Sequence, residues 1–280
     1  MNTLQAEYQV ETLAQALEVS PSGYYAHQRK PQRARARQDQ ALVTQIQSVF
    51  QASRRTYGSP RIQMALRQQG HRCGKNRIAR LMRQNHWRAR QKRRYVPRTT
   101  QSDHDQPIAP NWLAQVPMPV RPDQVWVVDI TYIATGEGWL YLAVVLDACS
   151  RKVVGWALGI SLETSLVTEA LARAQKDRRP LPGLLHHSDR GVQYASSAYR
   201  ALLAHYQITP SMSRAANPYD NAIAESFMAT LKTECFDHTP ATRTQARLMV
   251  FDYLEAFYNP RRLHSALGYM SPVEFENQFN

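Results

Sequence analysis

The stretch 124–160 limits the fold more than any other part of the chain. VWVVDITYIA, WLYLAVVLDAC and KVVGWALGI are runs of β-branched and aromatic residues of strand length, separated by short turns that include Gly136 and Gly138, and they suit three antiparallel strands. The period then changes. SLVTEALARAQKD reads as a helix, LLHHSD as a strand, SAYRALLAHYQ as a helix and ITPSMS as a strand, followed by a helix around Glu225. Strands in succession and then alternating helix and strand describe an α/β mixed sheet with helices on both faces.

Three carboxylates stand where a carboxylate is costly. Asp129 lies in the middle of the first strand, and such a buried Asp needs a partner, usually a cation. Asp189 ends the apolar run LLHH just before Arg190 and Gly191, at the carboxyl edge of the sheet, where ligands bind in open α/β folds. Glu225 lies in a helix whose start is signalled by Asn217 as a cap and Pro218 in the first helical position. Helical spacing puts Ile223, Phe227 and Leu231 on a core stripe and groups Asn221, Glu225 and Lys232 on the other side. Hard oxygen donors from two strand ends and a helix suit Mg²⁺, with Mn²⁺ as a substitute; two such ions would clamp the attacking and leaving oxygens of an in-line phosphoryl transfer. Between Asp129 and Asp189 lie 59 residues, between Asp189 and Glu225 another 35, and Lys232 follows seven later.

The strings WVVDITYI, HSDRGVQY, NPYDNAIAESFMATLK and YNPRRLHSALGYMSP resemble the catalytic (OrfB) half of bacterial insertion-sequence transposases of the IS-three family, DDE transposases related to retroviral integrases. The resemblance implies a ribonuclease-H-like catalytic core over 123–280, with the strands of Asp129 and Asp189 side by side. It implies that Asp129, Asp189 and Glu225 are both the catalytic residues and the metal ligands for two ions, and that Lys232 binds DNA near the scissile bond. Such enzymes cleave one 3′ end of their element, join it to the other end and later insert the circle into target DNA. Joining two ends calls for at least a homodimer, and relatives commonly act with, or fused to, an OrfA portion carrying a leucine zipper. This chain has no sustained heptad pattern. A non-catalytic DNA-binding regulator is the alternative; it should have lost at least one carboxylate, and all three are present.

The charge distribution separates the chain into a basic front and a balanced rear. Net charge is +13, but residues 1–110 hold 20 Lys and Arg against 6 Asp and Glu, whereas 111–280 hold 15 against 16. An anionic polymer is the partner this predicts, and it lies with the front half. That half reads as small all-α helix-turn-helix DNA-binding domains. Residues 1–30 give two short helices, with Leu13 and Leu17 at helical spacing and Ser20 capping a second helix opened by Pro21. After the basic hinge RKPQRARARQ, a second unit over 36–90 places Leu42, Ile46, Val49 and Phe50 inward, caps a helix with Ser59 and Pro60, and ends on GKNRIARLMRQ. In that last helix Ile78, Leu81 and Met82 face inward, and Lys75, Asn76, Arg77, Arg80 and Arg83 outward, which suits docking in a DNA major groove. Residues 91–122 form a basic, Pro-rich linker; Lys92, Arg93 and Arg94, with Arg90 just before it, are expected on DNA phosphates.

The remaining signals are bland. Cys73, Cys149 and Cys235 are too far apart for a CxxC zinc site, and no disulfide framework is readable. No apolar run approaches a membrane span, so a cytoplasmic protein is expected. His186 and His187 alternate across a strand, so at most one faces the site, and hydrogen-bonded structure is the expected role for both, as for His264. Asp147 and Asp220 read as turn or cap residues.

Overall fold

The computed structural model describes residues 8–29, 34–90, 104–214 and 218–279. Helices α1 (Val10–Ala16) and α2 (Pro21–Arg29) form the first pair. The Ser20 hydroxyl accepts from the Gly23 N–H at 3.3 Å, as an N-cap does. Leu13 is buried there, but Leu17 is exposed, so the pair packs on a narrower stripe than the spacing predicts.

Helices α3 (Ala34–Ala52), α4 (Ser59–Gln68) and α5 (Lys75–Gln84) make the second unit. Part of the basic hinge is helical, since α3 begins at Ala34. At α4 the cap position belongs to Gly58, with Ser59 already inside the first turn. Leu42, Ile46, Val49, Phe50, Ile62, Leu66, Ile78, Leu81 and Met82 are all buried together, in agreement with the helical period.

The rear half is a five-stranded sheet in the order β3-β2-β1-β4-β5. Strands β1 (Val125–Thr135), β2 (Gly138–Asp147) and β3 (Val153–Gly159) are antiparallel neighbours; β4 (Leu185–Ser188) and β5 (Thr209–Met212) add in parallel beside β1. Alternation along β1 sends Val125, Val127 and Ile133 to one face and Trp126 and Val128 to the other. The second face is covered by α6 (Thr164–Arg178) and α8 (Ser197–His205), with α7 (Val192–Ala195) between them. Helix α6 lies so close to β3 that a Cβ at Gly155 would come within 2.3 Å of the Ala170 carbonyl oxygen.

The first face is covered by α9 (Ala222–Glu234) and α10 (Arg243–Phe251). Helix α9 buries Ala224, Phe227, Met228 and Leu231, and each large side chain contributes about 2 kcal/mol of apolar transfer free energy. The helix begun by α10 runs on through Pro260. After α10 the coil widens over Asp252–Tyr258, with the Asn259 N–H reaching back to the Leu254 carbonyl, and one more turn, α11 (Asn259–Arg261), carries Pro260 in its first turn. A short α12 (Pro272–Glu276) closes the chain with a capping box between Ser271 and Glu274.

The linker is pinned where it is described. The Met212 N–H donates to the Pro110 carbonyl at 3.4 Å, the Leu113 N–H to the Ser211 hydroxyl at 3.2 Å, and His104 Nε2 lies 2.8 Å from the Arg190 carbonyl oxygen. Residues 110–113 are therefore tied to β5 and His104 to the turn after β4.

Candidate active site

Strand pairing brings the two aspartates together. β1 and β4 pair in parallel up to Val127 with His187, and each aspartate lies two residues beyond its strand's last partner. Asp129 is thus on the same sheet face as Val127, the face that α9 covers. Its Oδ1 accepts from the Ile130 N–H at 2.8 Å. Burial pushes the Asp129 carboxyl up to about 8, and the carboxylates of Asp189 and Glu225 push the same way, against the Ile130 N–H and the Lys232 ammonium. A carboxyl so placed gains most from a cation.

Asp189 is oriented by its own turn. Its Oδ1 accepts from the Gly191 N–H at 2.9 Å, and a Cβ at Gly191 would stand 3.0 Å from that oxygen and 3.2 Å from Gln193 Oε1. Arg190, between them, is turned away, with Nε donating to the Ser213 carbonyl at 2.8 Å.

Helix α9 supplies the third acid. Glu225 is exposed in its first turn, where the helix dipole favours an acidic group, and partial burial raises its carboxyl. Lys232, two turns on, is half-buried; desolvation lowers its ammonium and the charge of Asp129 acts in the opposite sense. Glu225 and Lys232 both act on Asp129 through their charges, so the helix presents an acid and a base toward β1. Among the described residues no three His, Cys, Asp or Glu side chains enclose a metal position as they stand. Two facing carboxylates with a third in electrostatic reach are still the donor set that a hard divalent ion takes, completed by water or phosphate oxygens.

The start of α9 differs from the sequence reading. Asn217 lies outside the described residues, Pro218–Asn221 form a 3₁₀ turn, and the α-helix begins at Ala222 with Asn221 as its N-cap. Asn221 does not join Glu225 on the outer side. It is buried, and its Nδ2 donates to the Val128 carbonyl at 3.3 Å, tying the helix start to the strand of Asp129. Asp220 fixes the same turn: Asn111 Nδ2 and the Arg214 N–H both donate to its Oδ2 at 2.8 Å. The other end of α9 is held by Glu234, whose carboxylate takes two 2.6 Å bonds from Arg262 and one of 3.0 Å from the Tyr253 hydroxyl. Sequence reasoning missed Glu234 and Arg262, which carry no signal until the chain folds.

The histidines are structural neighbours of the site. His186 Nε2 lies 2.8 Å from the Tyr199 hydroxyl, and burial pushes it down to about 3. His187 sits between the hydroxyls of Ser211 and Ser213 at 2.9 and 3.0 Å, pushed down to about 4 mainly by burial. His264, pushed down to about 3 by burial and then by the charge of Arg262, packs edge-on to Tyr258. Asp147 is a buried turn residue that accepts the N–H groups of Asp123, Cys149 and Ser150.

The basic residues of the front half divide. Lys75, Asn76 and Arg83 are exposed on α5. Arg77 and Arg80 instead clasp Asp39 of α3, with Arg77 Nε at 2.7 Å from Oδ1 and Arg80 Nη2 at 2.7 Å from Oδ2, and this pair holds the Asp39 carboxyl below its usual range. The outward position was legible; the intramolecular partner was not. Arg90 turns to the rear half, donating to the Glu234 carbonyl oxygen at 2.9 Å and reaching Asp237 at 3.3 Å. Lys92, Arg93 and Arg94 lie outside the described residues.

The chain is similar to proteins of a known family over nearly its whole length. Residues 119–218 and 206–272 each match an integrase core domain family, and residues 37–95 match an HTH-like domain family. An uncharacterized 31 kDa protein of insertion element IS600 from Shigella sonnei is 41% identical, over 96% of this chain and 98% of its own. Transposase InsF for insertion sequence IS3A from Escherichia coli strain K12 is 37% identical, over 98% of this chain and 96% of its own. Among solved structures, a chain of the simian T-cell lymphotropic virus intasome in complex with the PP2A regulatory subunit B56 gamma aligns at TM-score 0.49 and 15% identity, over 76% of this chain and 70% of that one. The HTLV-2 integrase catalytic core domain in complex with magnesium aligns at TM-score 0.42 and 15% identity, over 56% of this chain and 98% of that one. With relatives this similar along almost the whole length, and an integrase core behind an HTH-like domain, the chain belongs to the IS3-family DDE transposases.

Proposed function

We propose that this transposase binds the inverted-repeat ends of its own insertion sequence, cleaves a 3′ end and transfers that end to a second DNA site. The observation that carries the reading is the pairing of β1 with β4, which sets Asp129 beside Asp189 beneath the helix of Glu225 and Lys232. Asp129, Asp189 and Glu225 would hold two divalent ions, Mg²⁺ with Mn²⁺ as a substitute. When bound, these ions supply Lewis-acid stabilisation to the oxygens that gain charge during in-line displacement.

The chain's own groups do the rest. The Gly191 N–H keeps the Asp189 carboxylate pointed, Asn221 holds α9 against β1, and the Lys232 ammonium takes a DNA phosphate beside the bond to be broken. In the first reaction a water oxygen bonds to phosphorus and the 3′ oxygen leaves as a hydroxyl. In the second that 3′ oxygen bonds to the phosphorus of another phosphodiester, whose own 3′ oxygen leaves as a hydroxyl with the proton that the attacking group gives up. Neither forms a bond to the protein. Lys75, Asn76 and Arg83 meet the terminal repeat, and Lys92, Arg93 and Arg94 its phosphates. Joining two ends requires at least two copies of the chain, with an OrfA portion as a further partner. Among the described residues no helix is long and apolar enough to cross a membrane, and the site of action is the cytoplasm, at the nucleoid.

The test is amide replacement: Asp129→Asn, Asp189→Asn and Glu225→Gln, one at a time. Cleavage and strand transfer in Mg²⁺ should vanish while end binding persists. An amide variant that still cuts removes its residue from the site.

A further inference from the structure

The front and rear halves share one core. Leu42, Ile46, Phe50 and Ile78 of the helical unit lie in the same buried cluster as Leu254, Phe257 and Leu263 of the C-terminal tail. Polar contacts lock that junction. The buried Tyr57 donates from its hydroxyl to the Arg261 carbonyl at 3.2 Å and accepts from the Leu263 N–H at 2.7 Å, while its ring packs against Phe257. Arg54 pairs with Asp252 at 2.7 Å and lies 4.9 Å from the centroid of the Phe257 ring.

The residue between Arg261 and Leu263 completes the chain of contacts. Arg262 grips Glu234 at the end of α9 through two bonds of 2.6 Å. Glu225 lies nine residues earlier on that helix, about 13 Å at 1.5 Å per residue. From α5 to Glu225 there is thus packed side chain, buried ion pair and rigid helix throughout. A shared apolar core restricts the relative motion that two domains on a linker otherwise have.

We infer that this junction is a ruler: it fixes the number of base pairs between the sequence read by residues 34–90 and the phosphodiester presented to Asp129, Asp189 and Glu225. The inference rests on the proposed cleavage activity and adds what sets the position of the cut. Tyr57 and Arg54 are its positioning residues, touching neither DNA nor the reacting atoms.

The experiment uses the full chain and a labelled duplex carrying the element's own end, with the footprint and the cut mapped at nucleotide resolution. One or two base pairs are then inserted between the footprint and the cut. A ruler cuts at the original distance from the footprint, so the break moves by the inserted number relative to the terminal nucleotide. A cut that follows the terminal nucleotide overturns the inference. The second arm takes Tyr57→Phe combined with Arg54→Ala, which keeps the ring in the core but removes the Tyr57 hydroxyl and Arg54 guanidinium contacts to the tail, leaving those of Arg90 to Glu234 and Asp237. Its footprint should match the unaltered protein while its products spread over neighbouring positions; products confined to the original nucleotide, at whatever yield, overturn the inference. Failure of the unaltered protein to cut the unaltered end would overturn the activity itself, and the ruler with it.

Discussion

Removing the guanidinium of Arg262 is the sharpest test of how α9 is held. Arg262 and Glu234 have side chains only 4% and 7% exposed, joined by two bonds of 2.6 Å. Arg262→Met keeps most of the stem volume but leaves a buried carboxylate with the Tyr253 hydroxyl as its remaining side-chain donor. Orphaning one member of such a pair costs about 3–5 kcal/mol. In a body of this size each kcal/mol moves the melting midpoint by about 2–4 °C, so a fall on the order of 10 °C is expected. The pair itself is worth much less than that figure, because both ions were desolvated to form it. Arg262→Met with Glu234→Leu should therefore recover a large part of the loss. Recovery stays incomplete while the Tyr253 hydroxyl is left without its acceptor, a cost of about 1–3 kcal/mol, and adding Tyr253→Phe should remove that remainder. Calorimetry of the full chain reads all three steps. A fall of less than about 3 °C in the single variant, or a double variant no more stable than the single, would refute the reasoning.

Three further outcomes follow from other contacts. Gly191→Ala places a Cβ 3.0 Å from Asp189 Oδ1, so the carboxylate must shift by a few tenths of an ångström; cleavage should fall by roughly tenfold or more with end affinity unchanged, and an undiminished rate counts against Gly191 as the orienting group. Arg80→Ala should lower the stability of the helical unit and leave the salt dependence of end binding unchanged, since its guanidinium is engaged by Asp39; a slope reduced by about one unit would show a phosphate contact instead. Burial alone would raise the Glu276 carboxyl, but donors from Lys152, Arg178 and Ser150 outweigh it and hold the carboxyl below its ordinary value. With the folded value below the unfolded one, its stabilisation is complete above the unfolded value and fades as pH falls through the folded one. Glu276→Gln should thus lower the melting midpoint clearly near pH 7 and much less near about pH 3, and a deficit independent of pH would contradict the assignment.

The residues legible in the sequence are those whose cost is set by their own neighbours in the chain. Asp129 was visible because a strand of Val, Ile and Trp cannot shelter a carboxylate for nothing, and Asp189 because a turn of Arg190 and Gly191 ends its strand. The order of strands and helices was legible for the same reason, since each element is patterned within itself. The start of α9 was not. Pro218 suits the first turn of an α-helix and a 3₁₀ turn equally, and the choice falls to Asn221, which reaches the Val128 carbonyl 93 residues away. Arg77 and Arg80 mislead in the same way: the helical period places them outward, but only folding brings Asp39 of α3 beneath them.

Arg262 shows why the junction between the halves was silent. An arginine in a polar tail costs nothing while it stays in water, and a glutamate at the end of a helix is unremarkable on its surface. Each becomes expensive only once folding buries it, and the other, 2.6 Å away, then offsets that cost. A site assembled from residues costly within their own element announces its chemistry, whereas Arg262 and Glu234 become costly only on burial, which no local pattern records. On the ruler inferred above, the position of the cut is encoded in pairings of this kind, and substitutions there should move it while leaving Asp129, Asp189 and Glu225 untouched.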